Sequence, residues 1–308
     1  MIDSLPVAEP HRMPQEVQHA LVLGAHGMLG TVLAHRLKAS GWRVSALDRQ
    51  QCDAAQLRPA DLDLRPGLLV LNAIGLINRR IGHHPDSEFW KVNGLWPRVL
   101  ADACQARGAH LVHISTDCVF SGGGAPHDEH QAPAAKDLYG ASKAAGEPGN
   151  ALVLRTSIIG PESHHRYSLM CWLLGQAPGA RVRGFVNHLW NGLTTWEVAN
   201  VIIRLTRQGL HREYGLRHLH GQDVTKCELL QWMAARWRPD LQIEPVEDVS
   251  SRDMRLCSAY PEFLRACGVR PLPLQLDELR AVCAADGGWQ PRPEVGSTVC
   301  VEGALGPW

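Results

Sequence analysis

The feature that most constrains the fold is an apolar segment that runs directly into a glycine-rich turn. Residues 20–23 are apolar, glycines follow at Gly24, Gly27 and Gly30, and a helical pattern covers residues 31–40. This order predicts a strand, a tight turn and the N-terminus of a helix. Glycines at such a turn let the backbone approach a pyrophosphate, whose charge is received by the N–H groups that begin the helix. Glycines also occur in turns that bind nothing, so the pattern needs support from elsewhere in the chain.

A second strand is predicted over residues 42–47, and it ends at Asp48 and Arg49. An acid at this point of a dinucleotide-binding unit binds the adenosine ribose hydroxyls of NAD, whereas an arginine accommodates the 2′-phosphate of NADP. Both residue types are present, so the sequence leaves the choice between NAD and NADP open. Either side chain is also compatible with a solvated strand end.

Further apolar strands alternate with helical segments along the chain. Strands are predicted over residues 68–75 and 111–116, with a helix over residues 86–107 between them. This alternation predicts an α/β fold in which a doubly wound parallel sheet, the Rossmann arrangement, is covered by helices on both faces. Ligands of such sheets bind at the carboxyl ends of the strands, where Gly24, residues 72–75 and residues 115–117 all fall.

Tyr139 and Lys143 lie four residues apart, which places both on one face of a helix. A nearby ammonium favours phenolate, so we expect Lys143 to lower the pKa of Tyr139 from about 10 toward working pH. Such a tyrosine can exchange a proton with a substrate oxygen. Ser115 and Thr116 precede it in the chain, and either hydroxyl can hydrogen-bond a substrate carbonyl, although hydroxyls at strand ends also serve as local caps.

Six segments together make a resemblance specific. They are GAHGMLG at 24–30, LNAIG at 71–75, VNG around Asn93, ISTDCVFSG at 114–122, YGASKAAGE at 139–147 and LRTSIIGPE at 154–162. The chain resembles the extended short-chain dehydrogenases/reductases, and within that group it is most similar to the dTDP-4-dehydrorhamnose reductase family of sugar-nucleotide reductases. Weaker resemblance continues through residues 187–195 and the helix that follows.

The resemblance implies that NADH or NADPH reduces a 4-keto group on a nucleotide-linked deoxysugar, in the biosynthesis of cell-surface polysaccharide sugars. It places Thr116, Tyr139 and Lys143 on the family's catalytic residues: Tyr139 protonates the oxygen, Lys143 holds the nicotinamide ribose and Thr116 aligns the keto group. The expected cofactor-binding residues are Gly24, His26, Gly27, Met28, Leu29, Gly30, Asp48, Arg49, Asn72, Ala73, Gly75, Asn93, Tyr139 and Lys143.

Cys118 departs from the patterns of these families. The 4,6-dehydratases of the superfamily carry Glu at this place, so Cys118 argues against water elimination. Bifunctional epimerase-reductases carry a cysteine at a matching position, and that activity is an alternative whose partner acid would be His164, His165 or His188. Otherwise Cys118 is a small buried side chain beside the pocket. A further alternative is a non-catalytic NAD(P)-binding regulatory subunit, like the superfamily member that regulates methionine adenosyltransferase.

The chain is expected to divide into a flexible arm at 1–17, an NAD(P)-binding domain at 18–160, a smaller C-terminal substrate lobe at 161–285 and a flexible tail at 286–308. By the resemblance, a segment near 192–208 returns to the main domain. Helices are predicted at 167–175, 194–207 and 226–237, and strands at 181–185 and 216–220. Arginine suits bidentate phosphate contact, and the substrate-binding candidates are Cys118, Arg166, Trp190, Arg252 and Arg255.

Composition narrows the class of partner. The formal net charge is zero, which gives no electrostatic reason to expect binding to nucleic acid. No apolar run approaches the roughly 18 residues of a membrane span, and the N-terminus lacks a basic stretch followed by an apolar one, so a cytoplasmic protein is expected. The 16 histidines lack the paired spacing of a zinc site, and we expect no metal. A homodimer is what the family suggests.

Overall fold

The structure is a computed structural model that describes residues 18–124, 126–162 and 168–285. The strands in these residues are β1 His19–Leu23, β2 Arg43–Leu47, β3 Leu69–Asn72, β4 His110–Thr116, β5 Leu152–Thr156, β6 Ile158–Ile159, β7 Arg181–Phe185, β8 His188–Trp190, β9 Leu193–Thr194, β10 Gly215–His218, β11 Val224–Thr225, β12 Gln242–Val246 and β13 Arg252–Asp253. The α-helices are α1 Met28–Ala39, α2 Asp86–Phe89, α3 Trp96–Ala106, α4 Leu138–Ala145, α5 Leu169–Leu174, α6 Thr195–Arg207, α7 Lys226–Trp237, α8 Pro261–Cys267 and α9 Leu272–Ala285.

Six strands form one parallel sheet in the order β10-β5-β4-β3-β1-β2. The chain passes from β1 to β2 on one side and then places β3 on the other side of β1. The direction of winding therefore reverses between β1 and β3, and a ligand crevice opens at the strand ends where such a reversal occurs. The predicted α/β fold with a doubly wound parallel sheet is confirmed.

Alternate residues of each strand serve two separate cores, because successive side chains point to opposite faces. Ala20 and Val22 of β1 pack with α1, α6 and α8 on one face. Leu21 and Leu23 pack with α3 on the other face, where Trp96 is fully buried. Both faces of the sheet are therefore covered, and this explains why its strands read as continuous apolar runs.

A third core lies in the C-terminal part of the chain and is built from α5, α7, α9 and β7. The prediction for 226–237 is confirmed by α7 and that for 181–185 by β7. The segment predicted as a strand at 216–220 forms β10, which pairs with β5 in the main sheet. The part of the chain that returns to the main sheet is therefore longer than the predicted segment 192–208, because it also includes β10. The division at residue 160 stays a prediction, and the arm at 1–17 and the tail at 286–308 lie outside the described residues.

The helix predicted over residues 86–107 is present with one interruption. A π-helix, Trp90–Leu95, joins α2 to α3. It packs so closely on the end of α4 that a Cβ added to Gly146 would lie 1.8 Å from the Asn93 carbonyl oxygen. Single π turns of this kind are common near functional sites.

In the ranges that the structure describes, no helix is both long enough and apolar enough to cross a membrane.

Candidate active site at the strand ends

The turn after β1 has the geometry of a phosphate-binding turn. Gly24 has φ +82°, which favours glycine, and a Cβ added to Gly30 would lie 2.0 Å from the Gly24 carbonyl oxygen. Gly27 caps α1 without a side-chain hydrogen bond, so no side chain fills the N-terminus of this helix. Backbone N–H groups at an uncapped helix N-terminus are suited to a pyrophosphate. His26 is exposed beside this turn and Met28 is partly exposed, whereas the Leu29 side chain lies in the core, which leaves only its backbone for a ligand.

The end of β2 holds an oriented carboxylate and a paired arginine. Oδ1 of Asp48 accepts hydrogen bonds from the N–H groups of Gln50 and Gln51, at 2.9 and 3.1 Å. Nη2 of Arg49 donates to Glu88 Oε1 at 2.8 Å. Both predicted cofactor residues therefore lie at the strand end, as expected, but Arg49 already has an acidic partner from α2.

The loop after β3 is held by two buried asparagines. Oδ1 of Asn72 accepts from Ile74 N at 3.3 Å, and its Nδ2 contacts His113 Nδ1 at 3.0 Å. The Asn93 side chain bonds both N–H and C=O of Leu76, at 2.9 Å each. The predicted cofactor contact of the two asparagines stays a prediction, and in this structure neither side chain is exposed. They set the path of the loop that carries Ala73 and Gly75.

The candidate catalytic residues meet at the end of β4. Thr116 ends this strand, and the helix α4, whose N-terminus is capped by Asp137, packs against it. Nζ of Lys143 donates to the Ile114 carbonyl oxygen at 2.7 Å, and the Thr116 hydroxyl lies near enough to Tyr139 to lower its pKa. The structure thus brings together the three residues that the sequence selected.

Ser115 and Thr116 are the two hydroxyl residues that the sequence offered as partners of a substrate carbonyl. They are consecutive in β4, so their side chains point to opposite faces of the sheet. Oγ of Ser115 donates to Glu147 Oε1 at 2.6 Å, in a buried network with Arg155. Thr116 lies on the opposite face, toward Tyr139. Ser115 therefore belongs to the structural network, whereas Thr116 Oγ1 accepts from Cys118 N and donates to Asp117 Oδ1, both at 3.1 Å, as a cap at the end of β4.

The tyrosine pKa differs from the expectation. Burial raises the pKa of Tyr139 well above its ordinary value, the charges of Cys118 and Asp117 add to the rise, and the hydrogen bond to Thr116 opposes it. Burial lowers the pKa of Lys143 to about 8, against the opposing charge of Glu147. The expected lowering of the tyrosine pKa by the ammonium is therefore wrong in this structure, because desolvation dominates. Tyr139 therefore carries its proton at neutral pH, as an ordinary tyrosine does.

Replacing Lys143 with methionine is expected to raise the free energy of unfolding by about 1–3 kcal/mol at neutral pH, because it removes a buried charge. An ordinary lysine has a pKa of 10.5, so the unfolded chain keeps this proton when the folded chain has lost it near pH 8. The destabilisation that results from burying the charged ammonium is therefore at its full size below pH 8, and it decreases as the pH rises to 10.5. Urea unfolding of the wild-type protein and of Lys143→Met across this pH range measures the difference between their free energies of unfolding. Groups that titrate equally in both proteins do not contribute to this difference. A difference that stays constant with pH would contradict the prediction.

A cavity of about 260 Å³ adjoins the Tyr139 helix. Its lining combines three of the predicted substrate residues, Cys118, Trp190 and Arg252, with Lys136, Lys226 and His188. The Arg252 guanidinium makes no hydrogen bond or ion pair with another residue in the described ranges. This wall of the cavity is cationic, whereas Trp190 adds an aromatic surface.

Other predicted residues are placed elsewhere. The guanidinium of Arg255 is held by Asp253 and Asp223, at 2.7 and 2.8 Å, so it is committed to ion pairs. Arg166 and the pair His164 and His165 lie outside the described residues. Among the residues that the structure describes, no group of three or more His, Cys, Asp or Glu side chains is arranged to hold a metal ion.

Lys136 and Lys226 were missed by the sequence analysis. A signal was present, since the chain has only five lysines against 26 arginines and three of the five lie at this site. Lys226 is 4% exposed, and a buried lysine is uncommon unless it has a specific task.

Cys118 lines the cavity and is buried. Burial, followed by the charge of Asp117, raises the pKa of its thiol well above the ordinary value. Its Sγ lies 3.5 Å from Asp117 Oδ1. The side chain is therefore a protonated thiol at neutral pH, and a thiolate base at this position is disfavoured.

Comparison with known proteins agrees with this geometry. The chain is 38% identical over 148 residues to a dTDP-4-dehydrorhamnose reductase of Streptomyces griseus, a match that covers 44% of this chain and 48% of that protein. It is 26% identical over 255 residues to methionine adenosyltransferase 2 subunit beta of Xenopus tropicalis, covering 75% and 76%. The match to the dTDP-4-dehydrorhamnose reductases spans about half of their length.

A solved dTDP-4-dehydrorhamnose reductase of Bacillus anthracis, in complex with NADP, superposes with a TM-score of 0.69 and 21% identity, over 88% of this chain and 99% of that chain. At this identity the likeness concerns the fold. The family model of the RmlD substrate binding domain matches residues 18–252. That match covers most of the chain, and the protein therefore belongs to the RmlD substrate binding domain family.

Proposed function

We propose that this protein uses NADH or NADPH to reduce the 4-keto group of a nucleotide-linked deoxysugar, in the biosynthesis of cell-surface polysaccharide sugars. The observation that carries the proposal is the meeting of Thr116, at the end of β4, with Tyr139 and Lys143 of α4, a helix whose N-cap residue Asp137 lines the cationic cavity. Membership of the family and the likeness to dTDP-4-dehydrorhamnose reductases support it.

Each residue has a defined task in this reaction. The nicotinamide, when bound, supplies the hydride. Tyr139 donates its proton to the substrate oxygen as the keto group becomes an alcohol. Thr116 hydrogen-bonds the same oxygen and aligns it, while Lys143 holds the nicotinamide ribose. The turn formed by Gly24, Gly27 and Gly30 would bind the pyrophosphate of the cofactor.

The cavity would hold the remainder of the substrate. Arg252, Lys136 and Lys226 are suited to a diphosphate, and Trp190 offers a surface against which a ring can pack. The proposed partner is accordingly a nucleotide sugar. The homodimer and the cytoplasmic location that were expected from the sequence stay predictions.

Two alternatives have specific support. The match to methionine adenosyltransferase 2 subunit beta covers more residues than the matches to the dTDP-4-dehydrorhamnose reductases, which favours a non-catalytic NAD(P)-binding subunit as the second candidate. Cys118 and His188 line the same cavity, as an epimerase-reductase would require. Against this last activity, the thiol is protonated and His188 Nε2 is held by Asp248 at 2.9 Å.

Turnover distinguishes these candidates. The purified protein is mixed with NADH or NADPH and with a panel of 4-keto-6-deoxy nucleotide sugars, and the nicotinamide absorbance is followed. We expect oxidation of the cofactor with at least one sugar. Solvent deuterium at the ring carbons of the product would identify an epimerase-reductase. Tight cofactor binding without turnover on any sugar would contradict the proposal and favour the regulatory subunit.

A further inference from the structure

Arg49 is an arginine at the end of β2, where such a side chain can neutralise a 2′-phosphate, and in this structure it is already paired with acids. Its Nη2 donates to Glu88 Oε1 at 2.8 Å, and its Nε lies 3.9 Å from Asp53 Oδ1. Glu88 comes from α2, 39 residues further along the chain. Arg49 is 61% exposed at its side chain, whereas Glu88 is only 18% exposed, so the carboxylate is the fixed member of the pair.

Glu88 is itself held in place. His84 Nδ1 lies 2.9 Å from Glu88 Oε2, so that both carboxylate oxygens have a partner. The hydrogen bond to His84 lowers the pKa of Glu88 below its ordinary value, the charges of His84 and Arg49 act in the same direction, and burial opposes them. Glu88 is therefore charged at neutral pH, and its ion pair with Arg49 holds the guanidinium next to α2.

Asp48 has the opposite character, because it is oriented toward the glycine turn. Two backbone N–H groups hold Oδ1, and Oδ2 lies 3.5 Å from Nδ1 of His26, a residue of that turn. An oriented carboxylate at this place accepts hydrogen bonds from ribose hydroxyls and repels a 2′-phosphate. Two further carboxylates, those of Asp53 and Glu88, face Arg49 itself.

We propose that Glu88 is a specificity-determining residue that makes the protein prefer NADH to NADPH, by sequestering Arg49 and leaving Asp48 to bind the adenosine ribose. The inference rests on the proposed dinucleotide-dependent function and deepens it. Sequence analysis left this choice open because the contact between Arg49 and Glu88 joins residues from two different βα units.

The test is a binding measurement that needs no sugar substrate. Fluorescence of the reduced nicotinamide is titrated with wild-type protein and with Glu88→Gln, using NADH and NADPH in turn. We expect the wild-type protein to bind NADH at least about tenfold more tightly, since like charges oppose the 2′-phosphate. Glu88→Gln releases Arg49 and should tighten NADPH binding about tenfold, with little change for NADH.

Three further variants sharpen the test. Arg49→Ala alone should leave NADPH affinity of the otherwise wild-type protein within about twofold, because the arginine is already sequestered. Arg49→Ala combined with Glu88→Gln should erase the gain for NADPH. Glu244→Gln is the matched control, because Glu244 pairs with Arg181 at 3.3 Å far from this strand end, and it should change neither affinity.

The outcomes that overturn the inference are distinct from failure of the proposed function. A wild-type preference for NADPH, an unchanged ratio in Glu88→Gln, or a large loss of NADPH affinity in Arg49→Ala would each overturn the role of Glu88 alone. Absence of binding by either dinucleotide to the wild-type protein would overturn the proposed function together with this inference.

Discussion

Replacing Tyr139 with phenylalanine is expected to lower kcat by about 10²- to 10⁴-fold, the usual contribution of a positioned general acid. The hydroxyl is the only group removed, and its proton is needed as the substrate oxygen gains charge in the transition state. Dissociation constants for NADH and NADPH should change by no more than about twofold, because Lys143 and the glycine turn remain. Steady-state kinetics with the sugar accepted in the panel, together with fluorescence titration of each cofactor, measure both effects.

Tyr214→Phe provides the matched control, because Tyr214 is 50% exposed and lies before β10, outside the site. It should keep the wild-type rate and cofactor affinity. A near-normal rate in Tyr139→Phe would show that another group donates the proton. Loss of cofactor binding in that variant would instead show that Tyr139 has a structural role.

Replacing Glu147 with alanine is expected to lower the free energy of unfolding by about 3–5 kcal/mol, because it leaves a buried arginine without its partner. Arg155 is 2% exposed at its side chain, and its Nε and Nη2 donate to the two oxygens of Glu147 at 2.8 and 2.6 Å. Ser115 loses its acceptor in the same variant. Chemical denaturation with a fixed m-value measures the change.

Two comparisons isolate the buried pair. Adding Arg155→Leu to Glu147→Ala should recover most of the lost stability, since removing both charges avoids an unpaired ion in the core. Glu213→Ala removes an acid from a more exposed pair, 3.4 Å from Arg217, and should cost less than about 1 kcal/mol. Equal losses in Glu147→Ala and Glu213→Ala would show that burial of the pair has no energetic importance.

Local pattern was sufficient to predict much of the architecture. The apolar runs and glycines predicted β1, the turn and α1, and the alternation of strands and helices predicted the parallel sheet. The i, i+4 spacing placed Tyr139 and Lys143 on one face of α4, beside Thr116. These features depend on neighbours in sequence, so a single chain is enough to predict them.

Other features depended on residues that are distant in the chain. Asn72 and Asn93 fit a cofactor motif, yet the fold buries both behind the loop. Lys136 and Lys226 meet in the cavity from segments 90 residues apart. The sequence did not show that Ser115 is bound by Glu147, because the two residues lie 32 positions apart in the chain.

The sequence by itself determined the order of strands and helices, the glycine turn and the identity of the candidate proton donor. These features depend on hydrophobic periodicity and on local backbone requirements, both of which involve residues that are close together in the sequence. The tertiary structure decided the direction in which the pKa of Tyr139 shifts, the partner of Arg49 and the cationic lining of the cavity. Desolvation and electrostatic contacts depend on every group that packs around a side chain, and most of those groups come from other parts of the chain.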